Sequence, residues 1–366
     1  MRHRRRILRR PHWEPFLTSL VPRARLPIAH LLLFGWMPSL LRRIAYRVLL
    51  GYRIGRRVKF GIGSALVGRD VQIDDDAEIG LFAVVQGRSI RLGRHSSIGM
   101  MSYVSCERIE IGEDARIREQ VFVGGPALPE SLFKLGNRTI VLQHTNINAT
   151  KPVVIGDDSG IGGHCLIFTH GAWLNQMDGY PVTYQPVTIG SSVWLPWRVF
   201  VMPGATIGSG SVIGANSLVV GEIPPFSLAV GSPAKVIRSA PQFLAVPDAA
   251  GRTGMVAVML VEFERYLAYK DVRITAGDLR EYRVGRRTYR MLHLGAGSGP
   301  VHLGLRTGDT VLSERPLDER ERSSLRTTGV HWLDLSGRTR SRHGSALTEE
   351  LALFLGRYGI RLPRDG

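Results

Sequence analysis

Cysteine is scarce: the chain holds two, Cys106 and Cys165. They show no CxxC spacing, so no disulfide framework is expected, and both read as buried or half-buried thiols in a reducing cytoplasm. Acid is nearly missing from the first 59 positions, where Glu14 stands against 15 Lys or Arg. That segment therefore carries +14 of the net charge of +17, and the rest of the chain is near neutral. The asymmetry describes a basic arm on an ordinary globular body, and no nucleic-acid partner is expected. Such an arm can face anionic lipid, nucleic acid or an acidic polysaccharide, and of these nucleic acid is the one not expected here. A long apolar run is also missing. Arg2, Arg4, Arg5, Arg6, Arg9 and Arg10 could begin a signal peptide, but Pro11, Glu14, Pro15, Pro22 and Pro27 interrupt the stretch after them. The best run, Ile28 to Leu41, contains His30, Gly35 and Pro38. It falls short of the roughly 20 apolar residues that a spanning helix needs. A cytoplasmic chain is expected, with any membrane contact peripheral, at the inner face. The segment Leu40 to Leu50 puts Arg42, Arg43 and Arg47 on one helical face and Leu41, Ile44 and Val48 on another. It reads as an interfacial helix or as a cap over the open end of the body, and the two are compatible.

Glycine, by contrast, is abundant, with 42 residues, and much of it follows a period. Aliphatic or aromatic residues recur every six positions, and the sixes group into threes. The triples are Ile54/Phe60/Leu66, Ile73/Ile79/Val85, Leu92/Ile98/Val104, Ile111/Ile117/Val123, Leu135/Val141/Ile147, Ile155/Ile161/Ile167, Ile189/Leu195/Val201 and Ile207/Ile213/Val219. A helix needs a period of about 3.6 and an isolated strand a period of about 2, and neither fits. Three short parallel strands per coil do fit, each pointing one apolar side chain inward. Gly follows many inward positions, as at Gly93, Gly99 and Gly156, where a Cβ would clash or φ must be positive. The predicted body is thus mainly β, a parallel β-helix of hexapeptide repeats over 54–237. A basic helical arm or cap precedes it over 1–53, and an α+β appendage comes after it over 242–366.

Two gaps between coils exceed the repeat. One spans Gly124 to Lys134; the other spans Phe168 to Thr188. Solenoids carry their binding residues in such excursions. His170 stands three residues past the inward Ile167, and Trp173, Asn175, Gln176, Asp178 and Tyr180 come next. A neutral imidazole can take a proton from an acceptor hydroxyl or amine, which makes His170 a candidate general base. The preceding coil begins 20 residues earlier, so Asn148, Ala149 and Thr150 should lie beneath Phe168, Thr169 and His170. Asn148 and Thr150 are then candidates to orient the imidazole or the acceptor. His144 and His164 also differ by 20 and should stack. With His170 they allow a second reading, a γ-carbonic-anhydrase-like zinc enzyme with three imidazoles and an open position. A third reading is a non-catalytic scaffold.

The segments Phe168-Thr169-His170, Pro186-Val187-Thr188-Ile189-Gly190, Val193-Trp194-Leu195, Met202-Pro203-Gly204-Ala205-Thr206-Ile207-Gly208, Ile223-Pro224-Pro225 and Gly231-Ser232-Pro233-Ala234-Lys235-Val236-Ile237 together resemble hexapeptide-repeat acyltransferases. The nearest types are the maltose/galactoside and the colanic-acid or lipopolysaccharide O-acetyltransferases. The resemblance covers roughly half the chain and implies a left-handed β-helix, a homotrimer, and acetyl-CoA as co-substrate lying between neighbouring subunits. It implies His170 as the base, Trp194 beside the site, Ala215 lining the pantetheine channel, and Lys235 and Arg238 near the cofactor phosphates. No metal is expected. The implied reaction is acyl transfer, most simply acetyl transfer, to a sugar or glycan in cell-surface polysaccharide or glycolipid synthesis.

Several positions depart from that pattern. Pro196 and Trp197 stand where the family has small residues, so Trp197 should narrow the thioester channel or shift the cofactor. Val220 and Gly221 replace a Thr-Lys pair, which removes one cation. Leu142 stands where the family has an acceptor-binding Asn. A plain maltose or galactoside acceptor is therefore not expected; Asn148 and His144 are the substitutes, and Trp173 is a further candidate for substrate binding. In the last third, Val256–Val261, Tyr289–Leu294, Val301–Leu305 and Val330–Leu335 read as strands and Leu347–Tyr358 as a helix, with no motif that carries chemistry.

Overall fold

A computed structural model of the chain describes residues 26–171, 174–301 and 304–365. The arginines from Arg2 to Arg10 and the loop residue Trp173 lie outside the described residues.

The hexad positions stack as the spacing requires. Ile54 pairs in parallel with Ile73, Ile73 with Leu92, Leu92 with Ile111 and Ile111 with Leu135. Leu135 pairs with Ile155 and Ile155 with Ile189. The two other faces keep the same order, giving sheets of nine, ten and eight strands. Each of the 24 inward residues of the triples is at most 6% exposed. Burying an aliphatic side chain is worth about 1.5–3 kcal/mol, so the inner column carries much of the stability. The architecture is a parallel β-helix with three sheets as its faces.

Two details differ from the sequence reading. The six-residue period ends at Val219, yet Ile223 pairs with Ile207 and Ala229 with Ile213, adding most of a ninth coil. The four-residue step from Val219 to Ile223 hides it. The corners also divide their work differently. Positive φ falls largely on non-glycine residues such as His95, Asp114, Asp158 and His164. Many repeat glycines are needed instead for close approach of the next coil: a Cβ on Gly93 would lie 2.6 Å from Glu113 N.

Helices α1 (Ile28–Phe34) and α2 (Ser39–Leu49) cover the first coil. After the last coil, Ala234–Ser239 folds back antiparallel on Ser227–Gly231. The appendage begins with α3 (Ala249–Tyr269), whose N-terminus is capped by the Asp248 side chain on Gly251 N. The expected strand Val256–Val261 is therefore a stretch of helix. Val256, Leu260, Phe263 and Leu267 are buried at helical spacing, a pattern that a short valine-rich window conceals. A mixed six-stranded sheet comes next, with α4 (Glu319–Thr328) and α5 (Ala346–Leu355). Its strands include Arg287–Leu294 and His331–Asp334, whereas Val301, Gly304 and Leu305 lie in no strand. The C-terminal tail returns to the β-helix, where Arg361 donates to the carbonyls of Asp158 (2.6 Å) and Arg138 (3.3 Å).

Candidate active site

Both excursions leave from the corner where the third face turns into the first. One begins after the strand Phe122–Gly124 and rejoins at Leu132–Leu135; the other begins after Leu166–Ile167 and rejoins at Val187–Ile189. The intervening coil turns this corner tightly through Asn148–Pro152. Asn148 and Thr150 thus sit between the two excursions.

The expected register holds at that corner. Ile147 pairs with Ile167, and Thr169 Oγ1 donates to the carbonyl of Asn148 at 2.9 Å. Asn148 Oδ1 accepts from Thr150 N (3.2 Å) and from Thr169 Oγ1 (3.2 Å). Its carbonyl side is therefore engaged in holding the corner. Thr150 is buried, its carbonyl accepts from Ser131 Oγ at 2.7 Å, and its own Oγ1 has no partner among the described residues. Gly125 closes over the pair with φ of 134°; a Cβ there would lie 2.6 Å from Thr150 Oγ1 and 2.8 Å from Asn148 Nδ2. Lys151 makes an ion pair with Glu130 across the first excursion.

His170 is half-buried at the start of the second excursion. It pairs antiparallel with Tyr184, which turns the excursion into a hairpin. Its ring stacks with Tyr184 (centroids 5.8 Å apart) and with Phe168 (6.3 Å). Nδ1 is buried without a hydrogen-bond partner among the described residues. Neither Asn148 nor Thr150 hydrogen-bonds the imidazole. Toward the tip, Asn175 caps a short 3₁₀ turn, Gln176–Asp178, and Met177 and Tyr180 point into solvent.

A second group gathers at a different corner, between the second and third faces. His144 and His164 stack there, ring centroids 4.8 Å apart, both exposed and both with positive φ. Their spacing of 20 is that of corner residues on successive coils. Trp197 continues the stack, 5.6 Å from His164, and its ring lies over Gly163, where a Cβ would come within 2.4 Å. Gly163 thus accommodates the Trp that departs from the family pattern. The Trp194 ring lies over Gly160 in the same way. Ala215 is exposed on the next coil, beside Asn216, whose N–H donates to the Trp197 carbonyl at 3.1 Å. Lys235 and Arg238 are exposed on the terminal hairpin strand Ala234–Ser239.

This division bears on the zinc reading. His144 and His164 occupy one corner and His170 the next, and among the described residues no group of three or more His, Cys, Asp or Glu converges as a metal site. Within one chain the three imidazoles do not form a set. The thiols take no part either: Cys106 and Cys165 are buried, and burial pushes both up to about 11. Sequence reasoning missed Gly125, Ser131 and Gln185, whose backbone N–H donates to the Thr169 carbonyl at 3.0 Å. The paired Gly124-Gly125 at the mouth of an excursion was the available signal.

No family model matches the chain. Among known proteins, it is 32% identical over 145 residues to a protein of Mycobacterium tuberculosis named as an acetyltransferase, covering 37% of this chain and 46% of that one. It is 60% identical over 53 residues to a Staphylococcus aureus protein also named as an acetyltransferase, covering 14% and 27%. The chain thus spans between about a quarter and a half of the length of these relatives. Among solved structures, a hexapeptide-repeat-containing acetyltransferase of Vibrio cholerae complexed with acetyl-CoA aligns at 27% identity over 40% of this chain and 69% of that one, with a TM-score of 0.29. Galactoside acetyltransferase in complex with coenzyme A aligns at 28% identity over 36% and 58%, with a TM-score of 0.27. The chain resembles hexapeptide-repeat acetyltransferases.

Proposed function

We propose that the chain is an acyl-CoA-dependent O-acyltransferase, with acetyl-CoA as donor and a sugar or glycan of the cell surface as acceptor. The observation that carries the reading is the His170 corner. A half-buried imidazole, stacked with two aromatic rings, stands at the corner where two excursions leave the β-helix. The similarity to proteins named as acetyltransferases supports the same reading.

In the proposed reaction, His170 takes the proton of the acceptor hydroxyl as its oxygen attacks the thioester carbonyl. Because Nδ1 is buried, Nε2 is the nitrogen assigned to the proton. The tetrahedral intermediate carries its charge on the former carbonyl oxygen, where backbone N–H groups would stabilise it. Its collapse breaks the C–S bond, and the imidazolium returns the proton to the CoA thiolate. No covalent enzyme intermediate and no metal are required.

The cofactor residues lie elsewhere on the chain. Trp197 and Ala215 belong to the second corner, and Lys235 and Arg238 to the terminal hairpin. That separation supports a site made by two copies, one giving His170 and the other the pantetheine channel, as in a homotrimer. The test is CoA release from acetyl-CoA in the presence of cell-envelope glycans. His170→Ala should slow release by a factor of about 10² to 10⁴ with the unfolding temperature unchanged. Release at the wild-type rate would refute the assignment.

A further inference from the structure

We propose that the outer face of α1 and α2 is a docking surface for a bilayer of anionic phospholipid. Arg42 is fully buried. Its guanidinium turns into the end of the β-helix and donates to the carbonyls of Gly35 (2.5 Å), Met37 (3.0 Å) and Gly61 (3.2 Å), and to Ser64 Oγ (2.8 Å). Those carbonyls belong to the first coil and the α1–α2 turn, where no further coil supplies donors. Arg47 does the same for Ile54 and Gly55, with donor distances of 2.5 and 2.8 Å. Tyr46, also fully buried, packs beside them against Phe34 and Phe60.

Arg42 and Arg47 are therefore turned to capping the solenoid, and the helix presents its apolar face outward. This inverts the usual arrangement of a surface helix. From Ile28 to Leu49, nine large apolar side chains are at least half exposed, among them Leu32 (71%), Trp36 (67%), Leu40 (60%), Ile44 (50%) and Val48 (75%). Scattered exposed leucines are ordinary, but a cluster on two neighbouring helices marks an interaction surface.

Charge selects the occupant. Residues 26–59 contain seven Lys or Arg and no acid, and residues 1–25 add eight more against Glu14. A second copy docked on the same face would bring two strongly positive segments together. A bilayer with acidic headgroups accepts both features at once: apolar side chains enter the acyl boundary and cations meet phosphates. Trp36 suits the interfacial depth, where an indole has one apolar and one hydrogen-bonding side. No described helix is long and apolar enough to cross a membrane, so the contact is parallel to the surface. On the acyltransferase reading, and only there, this docking bears on the acceptor. His170 is on the sixth coil, five strand spacings or about 24 Å from the first, a height that suits a lipid-linked oligosaccharide.

The experiment is flotation of the full-length chain with vesicles of phosphatidylglycerol and phosphatidylcholine, or of phosphatidylcholine alone, at pH 7.5. Wild-type chain should float with the anionic vesicles. The triple variant Leu40→Glu, Ile44→Glu, Val48→Glu should bind at least tenfold more weakly, with its unfolding temperature and oligomeric state kept. Brominated lipid should quench tryptophan emission in the wild type and quench it less in Trp36→Phe, a readout independent of how the triple variant folds. Equal flotation of the triple variant and the wild type, with equal quenching in Trp36→Phe, would assign binding to the basic segment alone and overturn the proposal. Failure of the wild type to float would overturn it too, as would a change of oligomeric state in the triple variant without lipid binding by the wild type. None of these readouts depends on catalysis, so they succeed or fail apart from the acyltransferase reading.

Discussion

Thr150 Oγ1 and His170 Nδ1 lie at the same corner of the β-helix on consecutive coils, both buried and both without a hydrogen-bond partner among the described residues. An unsatisfied buried polar atom costs about 1–3 kcal/mol. On the proposed reading His170 works through Nε2, so the Thr150 hydroxyl is the one of the two offered to the acceptor. Thr150→Val removes the hydroxyl and keeps the shape. It should leave the unfolding temperature equal or slightly raised and lower kcat/KM at least tenfold, while Thr150→Ser keeps activity. Unchanged kinetics in Thr150→Val would make the hydroxyl a bystander.

Gly125 closes that corner, and its demand is conformational as well as steric. At φ of 134° an L side chain is strained, and its Cβ would meet Thr150 Oγ1 and Asn148 Nδ2. Gly125→Ala should cost about 1–3 kcal/mol in thermal unfolding and depress activity. At Gly124 the atoms nearest a Cβ are those of the Phe122 ring, at 2.8 Å, an exposed side chain stacked on Tyr103 that can shift outward more easily than backbone. Gly124→Ala should therefore be milder on both measures.

The column of inward residues was legible because each coil repeats the same demand: one apolar side chain every six residues, and no room for a Cβ at Gly93 or Gly156. Position along the column then located His170 and placed Asn148 and Thr150 beneath it. The limits of the repeat as a guide are visible at three places. The step from Val219 to Ile223 breaks the six-residue period without breaking the stack. Half of the run Val256–Val261 is valine, yet α3 takes it because Asp248 caps the helix and Phe263 and Leu267 extend the buried stripe. Arg42 and Leu41 mark the two faces of an amphipathic helix, but nothing local tells which face turns inward. That choice is made by the carbonyls that Arg42 meets at the end of the first coil, Gly61 and Ser64, which belong to another part of the chain.

Lys235 and Arg238 provide a test of the cofactor assignment that spares the acceptor site. Both are exposed on the terminal hairpin strand, so their replacement should not disturb the core. Lys235→Ala and Arg238→Ala should each raise KM for acetyl-CoA about three- to tenfold, a loss in the range of one charge-assisted phosphate contact, with kcat unchanged. KM for an acetyl-pantetheine lacking the nucleotide should not move. A change in kcat alone would remove both residues from the cofactor site.

The capping helices carry a pH dependence of their own. His30 Nε2 lies 2.9 Å from Tyr46 Oη, and the His30 imidazole is pushed down to about 4, first by burial and then by the nearby Arg42 guanidinium. In an opened cap His30 would take a proton near its ordinary value of about 6.5. Above that pH neither form is charged and the linkage contributes nothing. As pH falls from 6.5 toward 4, the open form gains a proton that the packed form resists, so packing of α1 and α2 loses on the order of 1–3 kcal/mol. Amide hydrogen exchange over Ile28–Leu49 should therefore gain a His30-dependent acceleration between pH 6.5 and 4.5, after correction for intrinsic rates. Exchange in the inner strands of the β-helix should not share it. His30→Gln keeps a polar partner for Tyr46 and removes the titration, and it should flatten the profile. An identical acceleration in His30→Gln would place the titrating group elsewhere.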